Sequence, residues 1–178
     1  KEAVLAEVDK NAATSAYIAS NTSSIRISDL ALVIKRPERF VGMHFFNPPQ
    51  IMKLVEVVRG SKTSDETIEV IVNLARRMGK EPIIVNRDTV GFIVNRILIS
   101  ALNEAAALVG EGAASPEDID KAVKLGLNWP MGPLALLDYI GEDTALAICK
   151  ELRQELGLKY SPSPILEKMV KQGHLGRK

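Results

Sequence analysis

The sequence has few of the residues that build disulfides and metal sites. Its 178 residues include a single cysteine, Cys149, and only two histidines. A single cysteine excludes an internal disulfide, which favours a reducing compartment such as the cytoplasm. No cluster of histidine, cysteine and carboxylate residues has the spacing of a metal site. We therefore expect a cytoplasmic protein that binds no metal.

The chain also lacks an excess of charge and any long apolar run. Lysine and arginine number 23 against 22 acidic residues, which gives a net charge of +1. This balance predicts neither a nucleic acid nor a membrane surface as a partner. Charged residues interrupt the apolar runs well before the length of about 20 residues that a membrane helix needs. No signal-peptide pattern opens the chain.

The glycine-rich signatures that bind phosphates are missing as well. The nearest approach to G-x-G-x-x-G is Gly110-Glu111-Gly112, which lacks the third glycine and a preceding strand, and no P-loop is present. The chain begins at Lys1, without a methionine, inside the charged helical pattern KEAVLAEVDKNAA. We therefore expect a fragment that starts partway through a larger domain.

Strand and helix patterns alternate in the first half of the chain. Short apolar runs at residues 16–19, 40–46, 51–58 and 82–85 are typical of strands. A helix is predicted from Lys1 to about Ala13, with Val4, Leu5 and Val8 on its inner side, and another begins after Ser64. This alternation predicts an α/β sheet.

The second half contains helical patterns only. One helix is predicted from Phe92 to Leu108, and its inner face would comprise Ile93, Ile97, Leu98, Leu102 and Ala106. Ser115 and Pro116 have the types expected for an N-cap and a first helical residue. Further helices are predicted at residues 134–140, 142–156 and 164–171. The fold class is therefore α/β followed by all-α, with domains at residues 1–87 and 88–178.

The strongest candidate for chemistry is a histidine and a glutamate on neighbouring apolar runs. His44 lies in FVGMHFF and Glu56 in IMKLVEVV, and Asn47-Pro48-Pro49 interrupts the chain between them. If the two runs form an antiparallel hairpin centred near Gln50, the two side chains face each other. A buried carboxylate beside an imidazole fixes one tautomer, which is the arrangement of a general acid/base pair.

Two other interpretations of these residues stay open on the pattern alone. A lone histidine on an apolar strand is more often a satisfied core residue than a catalyst, although an unpaired Glu56 in an apolar strand would be costly. Ser23, His44 and Glu56 can also be written as a hydrolase triad. Ser23 does not lie in a G-x-S-x-G elbow, however, and order along the chain alone does not establish a triad.

Four segments together resemble the L-3-hydroxyacyl-CoA dehydrogenases. They are SNTSSIRI at residues 20–27, FVGMHFFNPPQIMKLVEVVRG at 40–60, DTVGFIVNRIL at 88–98 and NWPMGPLALLDYIG at 128–141. The resemblance covers essentially the whole chain. It implies the later part of a Rossmann-type NAD-binding domain joined to a helical C-terminal domain, and the oxidation of (S)-3-hydroxyacyl-CoA to 3-ketoacyl-CoA with NAD, as in fatty-acid β-oxidation.

The resemblance also implies roles for catalytic residues. His44 resembles the base that removes the hydroxyl proton, and Glu56 resembles its orienting and charge-stabilising partner. Ser23 and Asn95 match positions that hydrogen-bond the substrate oxygen. From its residue type alone, Ser23 could equally bond to its own backbone in a turn.

Cofactor and partner expectations follow from the same resemblance. Ser23 and Asn47 match contacts with NAD, and Lys1 and Lys178 match basic residues near it. The glycine-rich turn for the pyrophosphate is missing, so we expect a fragment that is inactive alone. The expected partners are an acyl-CoA substrate and a second copy bound through the helical domain. The alternatives are a fused hydratase–dehydrogenase and an inactive helical dimerisation module.

Overall fold

The structure, a computed structural model, describes residues 1–23 and 25–177. The chain forms two compact units, Lys1–Phe92 and Ile93–Lys178. The domain boundary between residues 87 and 88 remains a prediction. Within the described ranges, no helix is both long and apolar enough to cross a membrane.

The first unit consists of a four-stranded sheet and three α-helices. In chain order the elements are α1 (Glu2–Asn11), β1 (Ile18–Ser20), α2 (Ile27–Leu30), β2 (Phe40–Phe45), β3 (Leu54–Val58), α3 (Asp65–Arg77) and β4 (Glu81–Val85). Short 3-10 turns at Ala31–Val33 and Pro37–Arg39 link α2 to β2. The predicted α/β architecture is confirmed, and it is Rossmann-like.

The strands lie in the order β1-β2-β3-β4. β1 is parallel to β2, β2 is antiparallel to β3, and β3 is parallel to β4. The β2–β3 pair has the predicted register, with His44 opposite Glu56. Since β1 and β2 are parallel, their carboxyl ends lie at the same edge of the sheet.

Both faces of the central strands β2 and β3 are buried, and successive side chains along β2 lie on opposite faces. Phe40 packs on one face with Ile27, Leu30, Val58 and other apolar residues. The opposite face belongs to a second cluster, in which residues of β2 and β3 pack with α3 (Val41, Met43, Val55, Val57, Ile68, Ile71, Val72 and Ala75). Because successive side chains alternate, His44 shares the face of Phe40 and Glu56 shares the face of Val58.

The inner face predicted for α1 is wrong in part. Leu5 packs against the first cluster, but Val4 is 66% exposed and Val8 is 44% exposed. The buried residue of α1 is Asp9, whose carboxylate accepts a hydrogen bond from the Lys35 backbone at 3.0 Å. Leu5 and a polar contact of Asp9 with the loop after α2 therefore hold this helix, whereas Val4 and Val8 do not.

Every regular element described between residues 93 and 177 is a helix. These are α4 (Val94–Gly110), α5 (Pro116–Leu127), α6 (Pro133–Ile140), α7 (Glu142–Leu156) and α8 (Pro164–Lys171), with a 3-10 turn at Leu158–Tyr160. Ser115 caps α5 as predicted, since its hydroxyl accepts from the Asp118 backbone N–H. Cys149 is a free cysteine and is buried on α7.

The start and inner face predicted for α4 are partly wrong. The helix begins at Val94, two residues later than predicted, because Phe92 has a positive φ and packs in the core of the first unit. Ile93 and Ile97 are exposed, at 39% and 65%. The buried side of α4 comprises Ile99, Leu102, Ala105 and Ala106.

Candidate active site

The centre of the candidate site is a buried pair, His44 on β2 and Glu56 on β3. His44 Nδ1 lies 2.7 Å from Glu56 Oε2. An ionised carboxylate can only accept hydrogen bonds, so Nδ1–H donates to it. His44 is 5% exposed and Glu56 is fully buried. The cross-strand register therefore makes the contact that the hairpin pattern predicts.

This geometry fixes the chemistry that the imidazole can perform. With its proton on Nδ1, a neutral imidazole has Nε2 free as an acceptor and base. When Nε2 takes a proton, the imidazolium is stabilised by the adjacent carboxylate, an interaction that is strong where water is excluded. The pair can therefore remove and return a proton. The described residues contain no group of three or more histidine, cysteine, aspartate or glutamate side chains that could hold a metal ion.

Two aromatic rings contact the imidazole of His44. The ring centroid of Phe46 lies 4.7 Å from that of His44, and the centroid of Phe92 lies 5.4 Å away in an edge-to-face arrangement. Such contacts favour particular ring orientations. Phe46 follows directly from β2, but the contact of Phe92 was missed because the helical pattern was extended over it.

Phe92 has an unusual backbone conformation at this site, with a φ of 46°. A residue other than glycine in this region costs of order 1–3 kcal/mol. The preceding residue, Gly91, has a φ of 73°, and the Phe92 N–H donates to the Thr89 carbonyl at 3.1 Å. These features form a turn in which glycine is required at the third position. The Val90-Gly91 dipeptide was the available signal in the sequence.

The loop after β1 is tied to the end of the strand that carries His44. Asn21 Oδ1 accepts a hydrogen bond from the Phe45 backbone N–H at 2.9 Å. The buried Thr22 hydroxyl accepts from the Ile25 N–H at 3.1 Å. Ser23 lies in this loop and is exposed. Sequence reasoning identified Ser23 and overlooked Asn21, whose position directly after a strand was the signal for its role in the loop.

A second anchor holds the chain that follows this loop. The Asp88 carboxylate accepts from the Ser28 backbone N–H at 2.6 Å, at the start of α2. The Ser28 hydroxyl in turn accepts from the Ser61 N–H at 2.9 Å. The segment after β4 and the loop between β3 and α3 are thereby joined to α2. Asp88 was considered only as part of the motif DTVGFIVNRIL, and its hydrogen bond to the start of α2 was not predicted.

The remaining predicted site residues lie at several places. Asn47 is exposed, two residues beyond the end of β2. Lys1 is exposed at the N-cap of α1. Asn95 is half-buried in the first turn of α4, in the second unit. Lys178 lies outside the described residues.

The residues present fit the nicotinamide-ribose end of NAD. The carboxyl ends of the parallel strands β1 and β2 lie at one edge of the sheet, which is where doubly wound folds bind nucleotides. Ser23 and Asn47 follow these two strands and are exposed. Their hydroxyl and amide groups suit the uncharged carboxamide and ribose hydroxyls, which also donate and accept hydrogen bonds.

Comparison with protein families gives matches along the whole chain. Residues 1–89 match the NAD binding domain of 3-hydroxyacyl-CoA dehydrogenase, so NAD is the cofactor of this domain. Residues 91–178 match the C-terminal domain of the same family.

Individual relatives give the same assignment. The chain is 56% identical over 162 residues to a probable 3-hydroxybutyryl-CoA dehydrogenase of Deinococcus radiodurans, a match that covers 90% of this chain and 58% of the relative. It is 47% identical over 179 residues to the 3-hydroxybutyryl-CoA dehydrogenase of Clostridioides difficile, covering 100% of this chain and 63% of the relative.

A solved structure agrees with these matches. The crystal structure of (S)-3-hydroxybutyryl-CoA dehydrogenase from Ralstonia eutropha superposes with a TM-score of 0.96 at 49% identity, over 98% of this chain and 62% of that one. The chain thus spans about three-fifths of the length of the relatives it matches. With family models that match both halves, the chain belongs to the 3-hydroxyacyl-CoA dehydrogenase family.

Proposed function

We propose that this chain carries the acid/base site of an enzyme that oxidises (S)-3-hydroxyacyl-CoA to 3-ketoacyl-CoA with NAD. The observation that carries the proposal is the buried hydrogen bond of 2.7 Å between His44 and Glu56, in a member of this family. The pair offers one basic nitrogen and one stabilising charge, which is what removal of a hydroxyl proton requires.

In the proposed mechanism, His44 Nε2 takes the proton from the 3-hydroxyl group as the C3–H bond breaks. NAD, when bound, accepts the hydride from C3. The lone pair left on oxygen forms the keto group, and the positive charge on the imidazole is balanced by Glu56. General base catalysis of this kind is worth about 10²–10⁴-fold in rate.

Five further residues complete the proposed site. Ser23 and Asn95 would hydrogen-bond the substrate oxygen, where charge develops in the transition state. Ser23 and Asn47 would contact NAD at the carboxyl-end edge of the sheet, with Lys1 as a basic residue near the cofactor. The exposure of Ser23, Asn47 and Lys1 is consistent with contacts to a ligand. Lys178 would supply a second basic group near the cofactor.

The proposed substrates are short-chain acyl-CoA thioesters. The relatives described above are named for 3-hydroxybutyryl-CoA, and these names favour a dehydrogenase with a single function over one fused to a hydratase. Oxidation rates with acyl chains of increasing length measure this preference. A rate that rises with chain length would contradict it.

We also propose that the protein is a homodimer joined through its helical unit. Helix α5 buries only Ile119 among its residues, while Leu125 and Leu127 on the same helix are 77% and 64% exposed. Uncovered apolar residues of this kind mark interaction surfaces. Replacing Leu125 by glutamate should convert the dimer to a monomer in light scattering. The matched control is Leu32→Glu, at an exposed apolar position of a 3-10 turn in the first unit, which should leave the dimer intact.

The proposed location is the cytoplasm. The sole cysteine, Cys149, is free and buried. A free cysteine is compatible with a reducing compartment. Cell fractionation followed by detection with an antibody tests this location, and recovery of the protein from the membrane or secreted fraction would contradict it.

Formation of NADH from (S)-3-hydroxybutyryl-CoA tests the proposed activity. The assay uses the full-length gene product, with any residues that flank this chain. His44→Gln should abolish most activity, whereas His174→Gln, at the exposed second histidine, should not. The (R) enantiomer should not react. A dimer that forms no NADH would favour the dimerisation module, and release of free CoA thiol would favour the hydrolase triad of Ser23, His44 and Glu56.

A further inference from the structure

We propose that Phe92 is a positioning residue for the imidazole of His44, holding it in the orientation that directs Nε2 to the substrate. The proposal rests on the function proposed above for His44. Phe92 does not itself take part in proton transfer. Its contribution acts through the histidine, by restricting the motion of the ring and by keeping water from the hydrogen bond to Glu56.

Three contacts hold the imidazole of His44. Glu56 holds Nδ1 at 2.7 Å, but a single hydrogen bond leaves the ring able to tilt about that contact. Phe92 meets the ring edge-to-face at 5.4 Å between centroids, and Phe46 lies at 4.7 Å. Together these three contacts restrict both the tilt and the rotation of the imidazole.

The Phe92 ring is itself held firmly by the surrounding core. Only 2% of Phe92 is exposed, and its side chain packs in the cluster that contains Phe40 and Val58. His44 projects from the same face of the sheet as Phe40, so this cluster continues directly to the catalytic pair. A ring held in a close-packed interior is a firmer support than a side chain on a mobile loop.

The backbone of Phe92 is held in a strained conformation. Its φ of 46° is unfavourable for a bulky side chain, and glycine or asparagine would adopt it more readily. The turn from Thr89 through Gly91 and the buried ring hold Phe92 in this conformation. Strain of this kind persists where the surrounding structure fixes a residue, and it concentrates at functional sites. In this protein the strained backbone of Phe92 places the aromatic ring against the imidazole of His44.

Kinetic comparison of two variants separates positioning from general packing. Phe92→Leu removes the ring that contacts His44, whereas Phe40→Leu removes a ring of equal size from the same cluster, in which Phe40 is fully buried. In the full-length gene product, we expect Phe92→Leu to lower kcat about 10- to 100-fold with little change in KM, because small displacements of a reacting group have effects of this size. Phe40→Leu should lower kcat by less than about threefold.

The His44 Nδ1–H proton provides a readout that does not depend on activity. Its resonance can be followed by NMR with ¹⁵N-labelled histidine, and the loss of one resonance in His44→Gln identifies it. We expect exchange of this proton with water to accelerate in Phe92→Leu and to change little in Phe40→Leu. If Phe92→Leu does not fold, Phe92→Met, which keeps more of the apolar volume, takes its place.

The outcomes of the two measurements are distinct. Equal effects of the substitutions at Phe92 and Phe40 on kcat and on proton exchange would overturn the positioning role. If the wild-type protein oxidises no 3-hydroxyacyl-CoA, the proposed function fails, and proton exchange alone then decides whether Phe92 holds the imidazole.

Discussion

Replacing Glu56 by glutamine removes one charge from the catalytic pair and keeps an acceptor for the hydrogen bond from His44. Glutamine has nearly the same volume, and its side-chain oxygen can still accept the hydrogen bond from His44 Nδ1–H. The fully buried position and the tautomer are therefore retained. The substitution isolates the stabilisation that the carboxylate gives to the imidazolium.

The expected size of the effect follows from the separation of the two groups. At 2.7 Å, full charges attract by about 6 kcal/mol at an effective dielectric constant of about 20. If about half of the positive charge has developed at the transition state, about 3 kcal/mol is lost. A loss of this size lowers kcat by about 100-fold. KM for the acyl-CoA should remain nearly constant, because the charge is absent from the neutral ground-state imidazole.

The assay is steady-state NADH formation by the full-length gene product, with thermal unfolding measured in parallel. Glu69→Gln is the matched control, since Glu69 is an exposed residue of α3, and its kcat should equal that of the wild type. A kcat of Glu56→Gln within about threefold of the wild type would refute the role of the charge. An increase in KM alone would indicate a binding role instead.

Three further predictions concern stability and thiol chemistry. Gly42→Ala should lower the free energy of unfolding by about 1–3 kcal/mol in urea titration, because a Cβ there would lie 2.8 Å from that of Val58. The control Gly126→Ala, with open space around it in α5, should raise the free energy of unfolding by about 0.5–1 kcal/mol. A Gly42→Ala variant more stable than Gly126→Ala would contradict this prediction. Asp88→Ala removes the acceptor of the hydrogen bond of 2.6 Å at the start of α2 and should cost about 1–2 kcal/mol, so an unchanged urea midpoint would speak against this anchor. Burial raises the pKa of the Cys149 thiol to about 11, so at about pH 8 roughly one thiol in a thousand is ionised. A disulfide reagent should therefore react slowly with the folded protein and rapidly after unfolding. The reaction of the folded protein should become faster as the pH rises toward this pKa. Rapid reaction of the folded protein would contradict the burial of Cys149.

Local patterns predicted the parts of the molecule in which neighbouring residues decide the structure. The β2–β3 hairpin and its pairing of His44 with Glu56 follow from two apolar runs around an interruption that no regular strand can continue. The caps Ser64 and Ser115 follow from single side chains bonding to nearby backbone groups.

The predictions that were wrong concern residues whose burial is decided by contacts with distant parts of the chain. The apolar pattern of α1 pointed to Val4 and Val8, but the contact of Asp9 with the Lys35 backbone turns these residues outward. Phe92 continued a helical period, yet its ring belongs to the core around the sheet. The periodicity of a sequence shows which residues are apolar, but it does not show which part of the protein will pack against them.

The proposed function requires that the hydrogen on C3 of the substrate is transferred to NAD. The full-length gene product is mixed with NAD and (S)-3-hydroxybutyryl-CoA that carries deuterium at C3, and the NADH is analysed by mass spectrometry. The proposed function predicts that the NADH acquires the deuterium, and that His44→Gln removes most of this transfer while His174→Gln does not. NADH without deuterium, or transfer by His44→Gln at the wild-type rate, would contradict the account.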